Sequence, residues 1–350
     1  MYYNDSDMEV SLFDYNLPKE LIAQHPHIPR DECKLLVCNR QNHTIEHRIF
    51  KEIINYIDEN DLLVLNDTKV IPARIFAQKP TGGKIEIFLL EEIGKGRFLC
   101  LTRGKLKKDT IVYLKNSKTA RITRIENSDK RIVEFETNEN IYELLEDIGE
   151  VPLPPYIQRN YDNYNKEKDF KYYQTVFAKK EGAVASPTAG LHFTEKLINS
   201  IKAKGVKIAY ITLHVGIGTF RPVKEKEVEK HKMHSEKYQI SKETADLFNQ
   251  TKSKRRRVIA VGTTVVRALE SSINKDGILK PQKSSTDIFI YPGYKYKAVD
   301  ALITNFHLPK STLLMLVSAF YEREKILNCY KEAIDKHYRF FSFGDAMFIY

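Results

Sequence analysis

The spacing of hydrophobic positions changes twice along the chain. Residues 1–71 close on "DENDLLVLNDTKVIPARI", where an apolar run from Leu62 to Leu65 reads as a strand and is followed by a polar turn. From 72 to 148 the pattern becomes short alternating segments, "RIFAQ", "KIEIFLLEEI", "RFLCLTR", "TIVYLK", "TARITRIE" and "RIVEFE". Turn signals such as "PTGGK", "GKGR", "LKNSK" and "ENSDK" separate them. Short strands at close spacing with Gly and Asn turns predict a small antiparallel barrel or sandwich. The prolines of "GEVPLPPYI" (149–157) then exclude regular helix and central strand.

Beyond 157, helical and strand-like segments alternate. "TEKLINSIKAKG" reads as a helix with Thr194 as its N-cap and Gly205 as its stop, and it leads into the strand "VKIAYITLHV". "KMHSEKYQI" (232–240) reads as a strand, "SKETADLFNQTKSK" as a helix, "VIAVG" as a strand and "TTVVRALESSI" as a helix. "TDIFIY" and "ALITNF" are expected strands, and "STLLMLVSAFYE" and "EKILNCYKEAIDKH" expected helices. Such alternation predicts an α/β fold with a mostly parallel sheet covered on both faces. The arrangement expected is a larger α/β catalytic domain (1–71 and 149–350) with a smaller β-barrel domain (72–148) inserted into it. Sites in such sheets sit beyond the carboxyl ends of strands.

Composition refines this picture. At 350 residues, 42% hydrophobic and 29% charged, the chain has the make-up of a soluble globular protein with a sizeable core. The net charge of +10 admits an acidic partner, nucleic acid first. From Arg103 to Arg131 ten Lys or Arg stand against three acids, and "KSKRRR" (252–257) contains no acid, so Lys105, Lys107, Lys108, Arg255, Arg256 and Arg257 are candidate contacts to phosphates. Cys33, Cys38, Cys100 and Cys329 lack CxxC spacing and read as reduced thiols. The first 21 residues lack the apolar core of a signal peptide, and the longest apolar run, "LLMLVSAF", is too short for a membrane span. A cytoplasmic monomer that does not engage membranes is expected.

Polar residues gather at the strand ends. In "EGAVASPTAGLHFTEKL" Ser186 and Thr188 lie near His192, but Val184 and Thr188 replace the glycines of a nucleophile elbow, and no Gly-Lys-Ser/Thr follows Gly190. A nucleophile, a ligand-contacting loop and a structural turn all remain open here. In "ITLHVGIGTFRP" strand alternation puts Tyr210, Thr212 and His214 on one face, just before Gly216 and Gly218. His234, Glu236 and Tyr238 would share a face of the next strand, where a carboxylate favours the imidazolium. His231, His234 and Glu236 do not align as ligands on a strand, so no metal is expected. "VIAVGTTVVRALE" offers a helix N-terminus at Thr263 with Arg267 one turn in, "LITNFHLPK" ends a strand with Asn305 and His307, and "VLNDTK" ends one with Asp67.

Taken in order, eleven blocks resemble one family, the S-adenosylmethionine:tRNA ribosyltransferase-isomerases of the queuosine pathway. They are "FDYNLPKELIAQHP", "RDECKLLV", "VLNDTKVIPARI", "GGKIEIFLL", "VPLPPYIQR", "YQTVFAKKEGAVASPTAGLHFT", "TLHVGIGTFRPV", "HKMHSEKY", "AVGTTVVRALES", "TNFHLPKSTLLMLVSAF" and "FSFGDAM". The resemblance implies a larger α/β domain with a smaller β-barrel. It also implies transfer and isomerisation of the ribosyl part of S-adenosylmethionine onto the aminomethyl group of 7-aminomethyl-7-deazaguanine at a tRNA wobble position. S-adenosylmethionine is then a consumed substrate, and no cofactor is expected. That chemistry asks for a base at the ribose C5′, an acid at the departing adenine and a neutral amine. His214, His234 and Glu236 are the expected proton-transfer residues, with Asp67 and His307 in reserve. Ser186, Thr188, Gly190, His192, Gly216, Gly218, Thr219, Thr263, Arg267 and Asn305 are the expected substrate contacts. A non-catalytic tRNA-binding protein and a serine hydrolase built on Ser186 are the competing readings.

Overall fold

The structure is a computed structural model that describes residues 8–350 apart from 138–139, 160–164, 217 and 219–221. A first hairpin, β1 (Lys34–Cys38) and β2 (Ile45–Ile49), is followed by β3 (Leu62–Asn66), all five of whose residues are buried. A strand covered on both faces needs an apolar run such as Leu62 to Leu65. The chain then passes through β4 (Thr68–Val70) into the strands β5 (Arg74–Gln78), β6 (Lys84–Gly94), β7 (Arg97–Arg103), β8 (Ile111–Tyr113), β9 (Thr119–Ile125) and β10 (Lys130–Glu136). Helix α1 (Ile141–Ile148) and β11 (Gly149–Glu150) lead out again. After α2 (Lys166–Tyr172) and β12 (Lys180–Ala183) come α3 (Glu195–Ala203), β13 (Lys207–Leu213), β14 (Glu236–Ile240), α4 (Lys242–Ser253) and β15 (Val258–Val261). The chain closes with α5 (Thr263–Ser272), β16 (Gln282–Thr286), β17 (Ala301–Asn305), α6 (Thr312–Tyr321), α7 (Arg323–Asp335) and β18 (Ala346–Ile349).

Two sheets result. The larger runs β16-β14-β13-β3-β15-β17-β18-β1-β2. Its centre, β13-β3-β15-β17, is parallel, as the helix–strand alternation requires, while β14, β16, β18 and β2 add antiparallel neighbours, so the sheet as a whole is mixed. The smaller runs β11-β5-β6-β7-β10-β9-β8, and its strands β5 to β10 close through Gln78 opposite Tyr113 into a six-stranded antiparallel barrel. Alternate residues such as Ile75, Ile87, Cys100, Ile122 and Val133 fill its interior. One face of the large sheet packs against α4 to α7 through Phe248, Leu269, Leu314 and Tyr330. The other face meets α3 and the turn at 50–55 through Phe50, Phe193, Leu197 and Ile201. Thr194 caps α3 by accepting from the Leu197 amide, as its place before "EKLINSIK" predicts.

Two expected strands are shorter than their apolar patterns. β14 starts only at Glu236, because the chain of β13 leaves it after His214 and pairs Val215 with Ala185 instead. Residues 232–235 therefore have no ladder partner, and His234 does not share a strand face with Glu236. Of "TDIFIY" only Thr286 belongs to a strand, since β16 precedes it at Gln282–Thr286. Among the described residues no helix is long and apolar enough to cross a membrane.

The basic runs separate spatially. Lys105, Lys107 and Lys108 are exposed on the loop after β7, at the barrel rim where Lys79 Nζ donates to the Lys105 carbonyl (2.7 Å). Arg131, counted in the same run, is buried and donates to the carbonyls of Asn127 and Lys130. "KSKRRR" sits at the amino end of β15, opposite the strand ends where a site forms. Two of its cations are paired internally, Lys252 with Asp300 (2.8 Å) and Arg257 with the buried Asp61 (2.5 Å), while Arg255 and Arg256 are exposed.

Candidate active site

Strand β3 ends on an amide that joins three elements. Asn66 Nδ2 donates to the Leu213 carbonyl (3.0 Å) and to Thr264 Oγ1 (3.2 Å), and its Oδ1 accepts from the amides of Leu213 (3.0 Å) and Thr68 (3.2 Å). The backbone ladder between β3 and β13 stops at Asn66 opposite Ile211, so the side chain carries the pairing two residues further. This bond set aligns the next polar groups. Asp67 Oδ1 accepts from Thr212 Oγ1 (2.6 Å), and Thr68 Oγ1 lies 2.8 Å from His214 Nδ1. Burial raises the Asp67 pKa, against the pull of Thr212 and of Lys180 and Lys179. Burial, with Lys237 nearby, lowers that of His214. Gly182 comes so close to the His214 ring that a Cβ there would sit 2.9 Å from Cε1. A shallow depression opens on Thr212 and His214, bordered by Lys237 and Lys283.

A second hollow lies at the carboxyl ends of β15 and β17. Ser186, Pro187, Thr188, Thr263, Thr304, Asn305 and His307 line it, with Tyr156, Phe306 and Phe341 as apolar wall. Gly262 turns β15 into α5 at φ +93°, a backbone state that side chains other than glycine rarely adopt. His192 lies behind the wall: its Nε2 meets Asn305 Nδ2 (3.1 Å) and its Nδ1 meets Cys33 Sγ (3.2 Å). Thr304 Oγ1 bonds His307 Nε2 (2.8 Å), and the Tyr330 hydroxyl accepts from the His307 amide (2.9 Å). Burial pushes the pKa of both His192 and His307 down to about 3, so both imidazoles are neutral at physiological pH.

Glu236 and Arg267 form a third group. Their side chains are paired and buried, and Glu236 Oε1 also accepts from the Gly216 amide (2.8 Å). This ion pair ties β14 to α5. His234 is exposed and lies against Gly218, and Thr219 falls outside the described residues.

The structure thus brings Ser186, Thr188, Thr263, Asn305 and His307 into one cleft, with His192 directly behind. His214 and Asp67 form a neighbouring cluster joined to the cleft through Asn66 and Val215. Glu236, Arg267 and Gly216 stand together, with the His214 amide donating to the carbonyl of Lys237 beside Glu236 (3.0 Å), while Gly190 packs on Phe177 and Thr175. From the sequence Asn66 reads only as part of the polar strand end 66–69 and Cys33 only as a reduced thiol, while the aromatic walls Tyr156 and Phe341 carry no signal. An asparagine that closes an all-apolar strand is the one signal that pointed to Asn66. Among the described residues no group of three or more His, Cys, Asp or Glu side chains is placed to hold a metal ion.

Two consequences can be measured. In the unfolded chain His192 and His307 take up protons near pH 6.5, but in the folded chain only near pH 3. The unfolded state therefore holds more protons between those values, and stability falls as pH drops through that window, by at most about 3 kcal/mol per pH unit for the two together. Asp67 and Asp345, whose pKa values burial raises, act in the opposite sense in the carboxylate range. Urea midpoints should drop from pH 7 to pH 5, and less so in a His192→Gln/His307→Gln variant; an unchanged wild-type midpoint contradicts this. Glu236→Ala leaves Arg267 buried without its counter-charge and should destabilise the fold by about 3–5 kcal/mol, with Arg267→Met restoring part of the loss. Lost turnover at an unchanged midpoint would instead give Glu236 a purely chemical role.

Comparison with known proteins places this architecture. The family model described as "Queuosine biosynthesis protein" matches residues 10–349. The chain is 52% identical over 345 residues to the S-adenosylmethionine:tRNA ribosyltransferase-isomerase of Fusobacterium nucleatum, covering 97% of each. It is 53% identical to the protein of that name from Sulfurihydrogenibium sp., covering 98% of this chain and 100% of the relative. A crystal structure of S-adenosylmethionine tRNA ribosyltransferase from Thermotoga maritima aligns with a TM-score of 0.56 at 40% identity, over 97% of this chain and 100% of that one. With a full-length family match, relatives above half identity and the same barrel-and-sheet fold, the chain belongs to the S-adenosylmethionine:tRNA ribosyltransferase-isomerases, transferases of queuosine biosynthesis.

Proposed function

We propose that the chain transfers and isomerises the ribosyl moiety of S-adenosylmethionine onto the aminomethyl group of 7-aminomethyl-7-deazaguanine at the tRNA wobble position. Epoxyqueuosine-tRNA forms, and adenine and methionine leave. The observation that carries this reading is the junction at Asn66, which holds an uncharged cleft next to a cluster of proton-handling groups. The sulfonium acidifies the ribose C5′ protons, and removing one needs a base that is unprotonated at neutral pH. His214 suits this role because it is half-buried, its pKa is lowered, and Thr68 fixes its ring. Asp67, with its raised pKa and its bond from Thr212, is the group suited to pass a proton to a departing ring. Lys237 and Lys283 at the edge of the depression favour the neutral form of an incoming amine. Glu236 acts through Arg267 and Gly216 to shape the loop after β13, and His234 stands at the solvent edge of that loop.

The exposed lysines 105, 107 and 108 are the proposed contacts to the tRNA backbone. Arg255 and Arg256, at the amino end of β15, stand on the side of the sheet away from the cleft. A non-catalytic tRNA-binding protein would need only the basic surface and would leave the buried polar cluster without a use.

Incubation of the protein with precursor-bearing tRNA and S-adenosylmethionine should release adenine and methionine together in step with nucleoside modification. Binding of tRNA without release of adenine favours the non-catalytic reading. In the same system Lys105→Glu/Lys107→Glu/Lys108→Glu should weaken tRNA binding and flatten its salt dependence by about 0.7–0.9 in log–log slope per lost contact. An unchanged slope removes those lysines from the interface.

A further inference from the structure

Two buried polar atoms on the cleft wall have no partner in the protein. Asn305 is 2% exposed, and both hydrogens of its Nδ2 are engaged, one by the Phe341 carbonyl (3.0 Å) and one by His192 Nε2 (3.1 Å). A carbonyl can only accept, so the amide cannot turn over without setting oxygen against oxygen. With the amide fixed by the Phe341 carbonyl, His192 Nε2 accepts the second hydrogen, so the neutral ring carries its own proton on Nδ1 and donates it to Cys33 Sγ (3.2 Å). The amide is held from both sides, and its Oδ1 is buried with no donor. Ser186 Oγ, 3% exposed on the opposite turn, is buried and unpartnered as well. Native structures pair nearly all such groups, and an orphan on a cleft wall marks a place for ligand atoms.

Charge and shape narrow the ligand. Among the described residues no Asp, Glu, Lys or Arg lines this cleft. A sulfonium, ammonium or carboxylate would find no counter-charge there. Tyr156, Phe306, Phe341 and Leu313 offer flat apolar surface suited to the faces of a ring. Resting on the function proposed above, we propose that this cleft takes the edge of an uncharged aminopurine-type ring, with an exocyclic N–H donating to Asn305 Oδ1 and Ser186 Oγ meeting a ring heteroatom. Two rings in the reaction share that chemistry, the adenine of S-adenosylmethionine and the 7-deazaguanine of the tRNA.

Equilibrium titration of the full chain separates the two. One arm compares S-adenosylmethionine with its analogue lacking the adenine 6-amino group. The other compares the nucleoside of 7-aminomethyl-7-deazaguanine with its counterpart lacking the 2-amino group. In the arm whose ring occupies the cleft, the wild type should prefer the amino-bearing ligand by about 10- to 100-fold, and Asn305→Ala should erase the preference. Ser186→Ala removes a hydroxyl that no protein group needs, so it should keep the thermal midpoint while weakening both ligands of that arm about tenfold. Preference in either arm supports the inference and names the ring. No preference in either arm overturns it, as does wild-type affinity in a folded Ser186→Ala protein. Adenine release by a wild type that shows no preference would leave the proposed reaction standing and remove only this assignment. Preference without adenine release would do the reverse.

Discussion

The side chain of Asn66 is the constraint from which the site geometry follows. Parallel strands β3 and β13 must part where a site opens between them, and parting strands leave backbone groups without partners. Asn66 supplies four hydrogen bonds at that point, two of them to the amide and carbonyl of Leu213, and so extends the ladder with a side chain. Its further bonds, to the Thr68 amide and to Thr264 Oγ1, tie the departing chain and the start of α5 to the same atom set. Because all of its polar atoms are satisfied, the buried amide stabilises the arrangement; each group left unpaired there would cost on the order of 1–3 kcal/mol. Asp67 and Thr68 reach Thr212 and His214 only because this joint holds them there.

Burial then sorts the titratable groups into two environments. In the cleft His192 and His307 are neutral, and their nitrogens serve as hydrogen-bonding groups that orient Asn305 and Thr304. In the adjoining cluster Asp67 and His214 are less deeply enclosed and their pKa values move toward each other, which is the setting proton transfer requires. The Glu236–Arg267 ion pair is buried, and Glu236 also holds the Gly216 amide. Two histidines that look alike in sequence, His214 and His307, thus differ because one borders a depression with lysines at its edge and the other is enclosed by Thr304 and Tyr330.

Much of this was legible in the sequence, and physical reasons set where that legibility ends. Helices with clear caps, such as α3 behind Thr194, and the all-apolar strand β3 were readable because local chemistry determines them. The barrel was readable as alternating segments between Gly and Asn turns, although the closure of β8 on β5 is a long-range pairing with no local signature. The strand expected over 232–240 failed for a similar reason: its first half alternates correctly, but its partner strand turns away to Ala185. Strand ends as the seat of polar groups followed from topology. Which of those groups share a cavity did not, because it depends on crossovers that bring residues 186, 263 and 305 together. Charge runs misled most: Arg131 and Arg257 belong to the basic stretches by sequence, yet one is buried against carbonyls and the other is paired with Asp61.

If the joint that Asn66 makes organises the reaction, S-adenosylmethionine binds around it, at the carboxyl ends of β3, β15 and β17. Amide hydrogen exchange of the full chain with and without S-adenosylmethionine decides whether it does. Protection is expected in segments 186–190, 262–267 and 304–308 and around 212–216, with the barrel and the run 252–257 unchanged. Protection confined to the barrel or to the amino ends of the strands, with those four segments unaltered, would place the substrate elsewhere and refute this role for the joint.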